Sequence, residues 1–312
     1  MPERNFIPTP EKPKEKFPNV DADIAKNLEQ IDFPKLKNLF LQKITSFGLN
    51  PEEYQDKFVS KGENFKNSGR IKGSLSKASY SKGMIAITKD SFEEFKKSNY
   101  VRSSDNKEQE EQDYILHQVA HEETHALSFG SEPDFESFSD ASRTGQSGYA
   151  TLKMGLKYYV LPTIEFAHRL FNEAVTETIT REIFSEYSQR ELSNEMLSYS
   201  SNLNRAVTVF DSICKKIGSE CGIEEDILRK VIMRGYFAGQ DLSGDKIVRL
   251  FKNVFPEDFE QTLKKMKVIP WLDDIQNITD LIEQSVWTDQ DKKRIRRWIT
   301  SIYNSMPVSQ KK

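Results

Sequence analysis

Apolar and polar positions divide the chain into helical, strand-like and irregular stretches. From about Asp21 to Phe47 apolar residues recur at three- and four-residue spacing, as on a half-buried helix. Asp23 and Ile24 open this stretch, Gly48 closes it, and Pro34 should break or restart it. The character then changes. Gly69–Leu75 and Gly83–Thr88 are short strand-like runs separated by Ser- and Gly-rich turns. Asp90-Ser91-Phe92-Glu93 has the form of a capping box, predicting a helix to about Ser98, and Arg102–Asn106 reads as a hydrophilic loop. Glu108–Ser128 lacks Gly and Pro and carries apolar residues at 115, 116, 119, 120, 126 and 127, which predicts a long helix. An acidic, aromatic loop is expected over Ser131–Asp140, then a hairpin over Arg143–Val160 turning near Lys153-Met154-Gly155. Thr163–Tyr187, again free of Gly and Pro, predicts a second long and largely buried helix. Beyond it the helical period returns in Glu191–Ile217, Glu224–Phe237, Ser243–Phe255, Phe259–Met266 and Thr288–Tyr303.

The expected architecture is therefore α+β. A disordered or extended arm, rich in Pro, Lys and Glu, is expected over residues 1–20, with five of the chain's 12 prolines among its first 18 residues. A mixed domain with short strands spans 21–188, and a mostly helical lobe spans 189–312.

Candidate chemistry sits on the two long helices. His121-Glu122-Glu123-Thr124-His125 places two imidazoles four residues apart, on one helix face, with β-carbons about 5–6 Å apart. That separation suits a single zinc ion at about 2.0–2.1 Å from each ring nitrogen. Glu122 lies about 100° further round the helix, where it can accept a proton from a water that zinc activates. A catalytic zinc needs a third protein ligand. Glu173 and Glu177 are also four apart, amid apolar neighbours, and a buried carboxylate needs a partner or a metal. One of the pair can complete the zinc site while the other accepts a hydrogen bond from a ligand histidine.

The paired segments Val119-Ala120-His121-Glu122-x-Thr124-His125-Ala126 and Asn172-Glu173-Ala174-Val175-Thr176-Glu177 resemble those of the gluzincin metallopeptidases. The resemblance covers roughly residues 80–190. It implies a zincin-like domain with zinc ligands His121, His125 and Glu173, general base Glu122, and Glu177 supporting a histidine from behind. Three features depart from the pattern. Glu123 stands where an uncharged residue is usual, the interval from His125 to Glu173 is longer than in thermolysin-like members, and no histidine follows His168.

Position relative to the two helices suggests that the hairpin borders the cleft. Tyr149, Tyr158 and Tyr159 are thus candidate donors to a developing oxyanion, set against ordinary aromatic packing. His117, one turn before His121, is a candidate for a supporting or cleft-lining role, whereas His168 reads as a packing or surface residue.

Composition narrows the field. With 45 Lys+Arg against 48 Asp+Glu, the net charge of −3 gives no general case for nucleic acid, and Lys292–Arg297 reads as a solvated helix face. No apolar run suits a signal peptide or a membrane span, so the expected compartment is the cytoplasm, with non-classical export left open. Two cysteines, Cys214 and Cys221, are too few for a disulfide framework. The combined expectation is a peptidase with one Zn2+ per chain acting on a peptide or protein. The alternative is a zinc-binding, non-catalytic regulatory or protein-binding module.

Overall fold

A computed structural model of the chain describes residues 16–68, 78–81, 83–128, 130–131, 142–147, 150–157, 161–167, 169–193, 196, 201–238 and 279–306. Most of the arm, the strand expected at 69–75, the loop at 132–140 and the helices expected over 243–255 and 259–266 lie outside the described residues.

Two helices replace the single stretch 21–47. In α1 (Ala22–Glu29) the Asp21 side chain accepts from the Asp23 N–H, and in α2 (Phe33–Ser46) the Asp32 side chain accepts from the Lys35 N–H. Pro34 sits in the first turn of α2, where its missing N–H costs nothing, so it restarts the helix. Gly48, at φ 74°, ends α2 in a left-handed conformation that side chains with a Cβ resist.

A three-stranded sheet follows, in the order β1-β3-β2, formed by β1 (Phe65–Ser68), β2 (Ala78–Ser81) and β3 (Met84–Thr88). Central β3 runs parallel to β1 and antiparallel to β2, with Phe65 opposite Ile85 and Tyr80 also opposite Ile85. Then come α3 (Lys89–Lys96), α4 (Asn99–Ser103) and α5 (Lys107–Leu127). The expected capping box at Asp90 does not form. Thr88 is the N-cap, without a side-chain cap bond, and Asp90 lies inside the first turn, where a carboxylate still complements the helix dipole. Ser98 caps α4 instead, which shortens the expected loop at 102–106.

The second sheet is an antiparallel meander of β4 (Gly130–Ser131), β5 (Ser142–Ser147), β6 (Ala150–Lys157) and β7 (Leu161–Ala167). Two expectations are corrected here. The hairpin turns between Ser147 and Ala150, and Lys153–Gly155 lies within β6, where Gly155 pairs with Ser142 and Thr163. A glycine inside a strand weakens it without ending it. The segment 163–167 belongs to β7, and α6 (Arg169–Ser188) starts only afterwards. Freedom from Gly and Pro admits a strand as readily as a helix, and Thr163-Ile164-Glu165-Phe166 alternates with the period of two that strands show.

Gln189, at φ 58°, stops α6. Residues 191–193 are not helical, residue 196 is, and the next helix whose bounds are described is α7 (Ser201–Cys221), so the helix expected from Glu191 does not start there. Next come α8 (Glu225–Ala238), a helical turn at 279–284 and α9 (Asp289–Ser305). No described helix is long and apolar enough to cross a membrane. Among the described residues the protein is thus mostly helical with two small sheets. One apolar cluster runs from Phe17 through Tyr114 and Phe171 to Phe237 and Met306.

Helices α5 and α6 lie against each other, with β2 and α1 also on α5, and α2, α7 and α8 also on α6. A pair of threonines contributes to the α5–α6 contact. Thr124 Oγ1 lies 3.3 Å from Thr180 Oγ1, and each hydroxyl also bonds a carbonyl four residues earlier in its own helix.

Candidate metal centre

From Tyr114 to Leu127, α5 is buried on nearly all sides; His125 alone is only half-buried. Four-residue spacing puts His117, His121 and His125 on the face towards α6, where Glu173 and Glu177 face them with the same spacing. His121 and His125 stand edge-to-face with ring centroids 4.9 Å apart.

Both Nε2 atoms point at one oxygen. His121 Nε2 and His125 Nε2 each lie 3.3 Å from Oε2 of Glu173. A tetrahedral zinc with ligands at about 2.0–2.1 Å has ligand–ligand edges of about 3.3–3.4 Å. The two nitrogen–oxygen separations therefore match two edges of such a tetrahedron, and the ligand atoms of all three residues lie within 4.8 Å of one another. Two neutral imidazoles and a carboxylate are a donor set that zinc accepts. On geometry and chemistry, His121, His125 and Glu173 fit a divalent metal ion.

Behind the ligands, Glu177 is fully buried and accepts from three N–H donors. They are His117 Nε2 at 3.0 Å, His121 Nδ1 at 3.2 Å and Arg181 Nε at 2.9 Å. The Gln118 amide N–H faces His117 Nδ1 at 3.1 Å, which leaves the His117 proton on Nε2, towards Glu177. Arg181 continues to Asn204 of α7 at 3.2 Å. His125 has a different backing: its Nδ1 lies 3.4 Å from the hydroxyl of Tyr236 on α8.

Electrostatics follow from this clustering. Burial opposes charge on His121, but hydrogen bonds to Glu173 and Glu177 and the nearby Glu122 raise it to about 10. Burial likewise opposes charge on Glu173 and Glu177, yet the adjacent histidines hold both well below the usual carboxylate range. Glu122 is buried beside the cluster, close enough for its charge to act on His121.

Glu123 points the other way. It is fully buried, accepts from the Val59 N–H at 3.1 Å, and its second oxygen has no hydrogen-bond partner among the described residues. Burial pushes this carboxyl well above its ordinary value. The residue departing from the gluzincin pattern is thus a buried carboxyl whose charged form burial disfavours.

The structure brings together His121, His125, Glu173 and Glu177, with Glu122 alongside and His117 behind Glu177. Tyr149, Tyr158, Tyr159 and His168 lie outside the described residues. Sequence reasoning missed Arg181, Thr176 and Tyr236. Arg181 was accessible, being four residues beyond Glu177 on the same face; Tyr236 carries no local signal.

No protein-family model matches the chain, and neither a curated protein nor a solved structure matches it. Functional assignment therefore rests on these residues and their geometry.

Proposed function

We propose that the protein is a zinc-dependent endopeptidase of gluzincin type. The observation that carries this reading is the convergence of His121 Nε2 and His125 Nε2 on one Glu173 oxygen, at 3.3 Å each, with Glu122 on the next helical position. His121, His125 and Glu173 hold the metal, and Glu177 fixes the His121 ring so that its Nε2 lone pair faces the ion. A bound zinc supplies Lewis acidity, making water nucleophilic near neutral pH and polarising a carbonyl. Glu122 takes the proton of the attacking water and delivers it to the departing amine. Strand β2 lies against α5 and, among the described residues, pairs only with β3. Its other edge offers main-chain groups to an extended peptide, by the strand-addition mode that gives affinity without demanding particular side chains.

The test is zinc content and peptide hydrolysis in wild type, Glu173→Ala and Glu122→Gln. Wild type should hold about one zinc per chain and Glu173→Ala should lose most of it. Glu122→Gln should keep zinc and lose about 10²–10⁴-fold in hydrolysis, the usual weight of general acid–base catalysis. A wild type without zinc after reconstitution refutes the metal centre. Zinc binding with no cleavage of any peptide in a broad library would instead support the non-catalytic module.

A further inference from the structure

Each metal-binding histidine must keep its proton on Nδ1 for Nε2 to be a ligand, and a hydrogen-bond acceptor behind the ring achieves this. For His121 that acceptor is Glu177. For His125 it lies 111 residues away, on a helix that the gluzincin motifs do not include.

The Tyr236 side chain is completely buried, and its hydroxyl meets Thr176, His125 and Ser128 among the described residues. It lies 2.8 Å from Thr176 Oγ1, 3.4 Å from His125 Nδ1, and within hydrogen-bonding reach of Ser128. Counting protons fixes the directions. The Thr176 hydroxyl donates to the Asn172 carbonyl at 2.8 Å, and the Ser128 hydroxyl donates to the His125 carbonyl at 2.7 Å. Each hydroxyl has a single proton. Neither Thr176 nor Ser128 can therefore donate to Tyr236, whose own proton has Thr176 Oγ1, at 2.8 Å, as its acceptor. The phenol lone pairs remain for the N–H at His125 Nδ1. A chain of donors results: His125 to Tyr236, Tyr236 to Thr176, and Thr176 to the backbone of Asn172, the residue just before Glu173. It closes on the helix that carries the third ligand.

We infer that Tyr236 is a positioning residue of the metal centre, holding His125 in the tautomer and ring orientation that metal binding requires. The inference rests on the metal-binding part of the proposed function and is independent of catalysis. It gives the helices after residue 200 a defined task. Asn204 of α7 reaches His121 through Arg181 and Glu177, while Tyr236 of α8 reaches His125 directly, so both ligand histidines are braced from that side.

The experiment measures zinc affinity by competition with a chromophoric chelator, and the visible absorption of the cobalt(II) form, on the full chain. Wild type is compared with Tyr236→Phe, Thr176→Val and Thr176→Ser, and metal-free melting curves register any loss of fold. Partners behind a metal ligand are typically worth about 10–100-fold in affinity. For a neutral acceptor at 3.4 Å the lower end applies, so Tyr236→Phe should bind zinc about tenfold more weakly, with a shifted cobalt spectrum. Thr176→Val should weaken binding in the same direction, and Thr176→Ser, which keeps the acceptor, should restore it. Wild-type affinity and spectrum in Tyr236→Phe overturn the inference while leaving the metal centre intact. Absence of zinc binding in wild type overturns both, so the two failures are distinct.

Discussion

Glu177→Gln changes one atom and tests the arrangement behind His121. The carboxylate accepts from three N–H donors and offers no proton. Glutamine keeps the shape but has one oxygen and one NH2 group. If its oxygen replaces Oε1, it satisfies Arg181 and His117, formerly at 2.9 and 3.0 Å, and sets the NH2 group against His121 Nδ1. The opposite rotamer opposes NH2 to two donors, so the first is preferred. In it His121 Nδ1 must become an acceptor, and its proton moves to Nε2, the atom that faces Glu173. A protonated Nε2 cannot bind metal. Metal affinity should fall by about 10–100-fold, the range for partners behind a ligand, which is about 1.4–2.7 kcal/mol. The metal-free chain should also lose about 3–5 kcal/mol, because a buried ion pair is broken on one side. Chelator competition below the melting temperature reads the affinity directly. Zinc stabilises a fold by RT ln(1 + [L]/Kd), so each tenfold loss removes about 1.4 kcal/mol of zinc-induced stabilisation. A Kd within twofold of wild type would refute the tautomer argument.

Two further predictions follow from the protonation states. Zinc uptake at pH 8 should release close to one proton from His121, because its metal-free value is raised from 6.5 to about 10 and a ligand imidazole must be neutral. Apparent affinity should therefore rise with pH towards that value, and calorimetry in buffers of different ionisation enthalpy should show the proton; identical heats in every buffer would contradict it. Glu123→Gln should stabilise the protein increasingly as pH rises. A carboxyl raised in the folded state supports folding below its unfolded value of about 4.5, and that support is lost at about 1.4 kcal/mol per pH unit as pH climbs towards the folded value. Glutamine keeps the acceptor for Val59 and removes this slope. Parallel pH–stability curves for mutant and wild type would show that Glu123 is ionised in the fold.

Much of the candidate site was legible because it depends on helical periodicity. The expected helix 108–128 is observed as Lys107–Leu127, and four-residue spacing alone set His121 beside His125 and Glu173 beside Glu177. Boundaries set by composition were less secure. Absence of Gly and Pro marked 163–167 as helix although it pairs as β7, and Gly155 suggested a turn where β6 continues. Tyr236 was illegible for a deeper reason. Within Glu224–Phe237 it reads as one more apolar position of an amphipathic helix. Its polar end gains a meaning only when α8 docks on α6, and no local spacing encodes that docking.

The charges of the centre give a reason why these residues belong together. Glu173 and Glu177 are kept ionised in a desolvated site, where an uncompensated charge costs several kcal/mol. Arg181 balances part of Glu177 from one side. Without metal, part of the remaining compensation falls to His121, whose charged form the adjacent carboxylates favour. A core histidine gains nothing from such an arrangement, since hydrophobic residues of similar volume often stabilise as well as a buried ion pair. A dication held by His121, His125 and Glu173 satisfies the same carboxylate without protonated rings, and it turns the 3.3 Å separations into ligand–ligand edges. The cluster is therefore explained more economically as a cation site than as a structural ion network. Glu122, held against it by its place on α5, gains a proton-transfer role only on that reading.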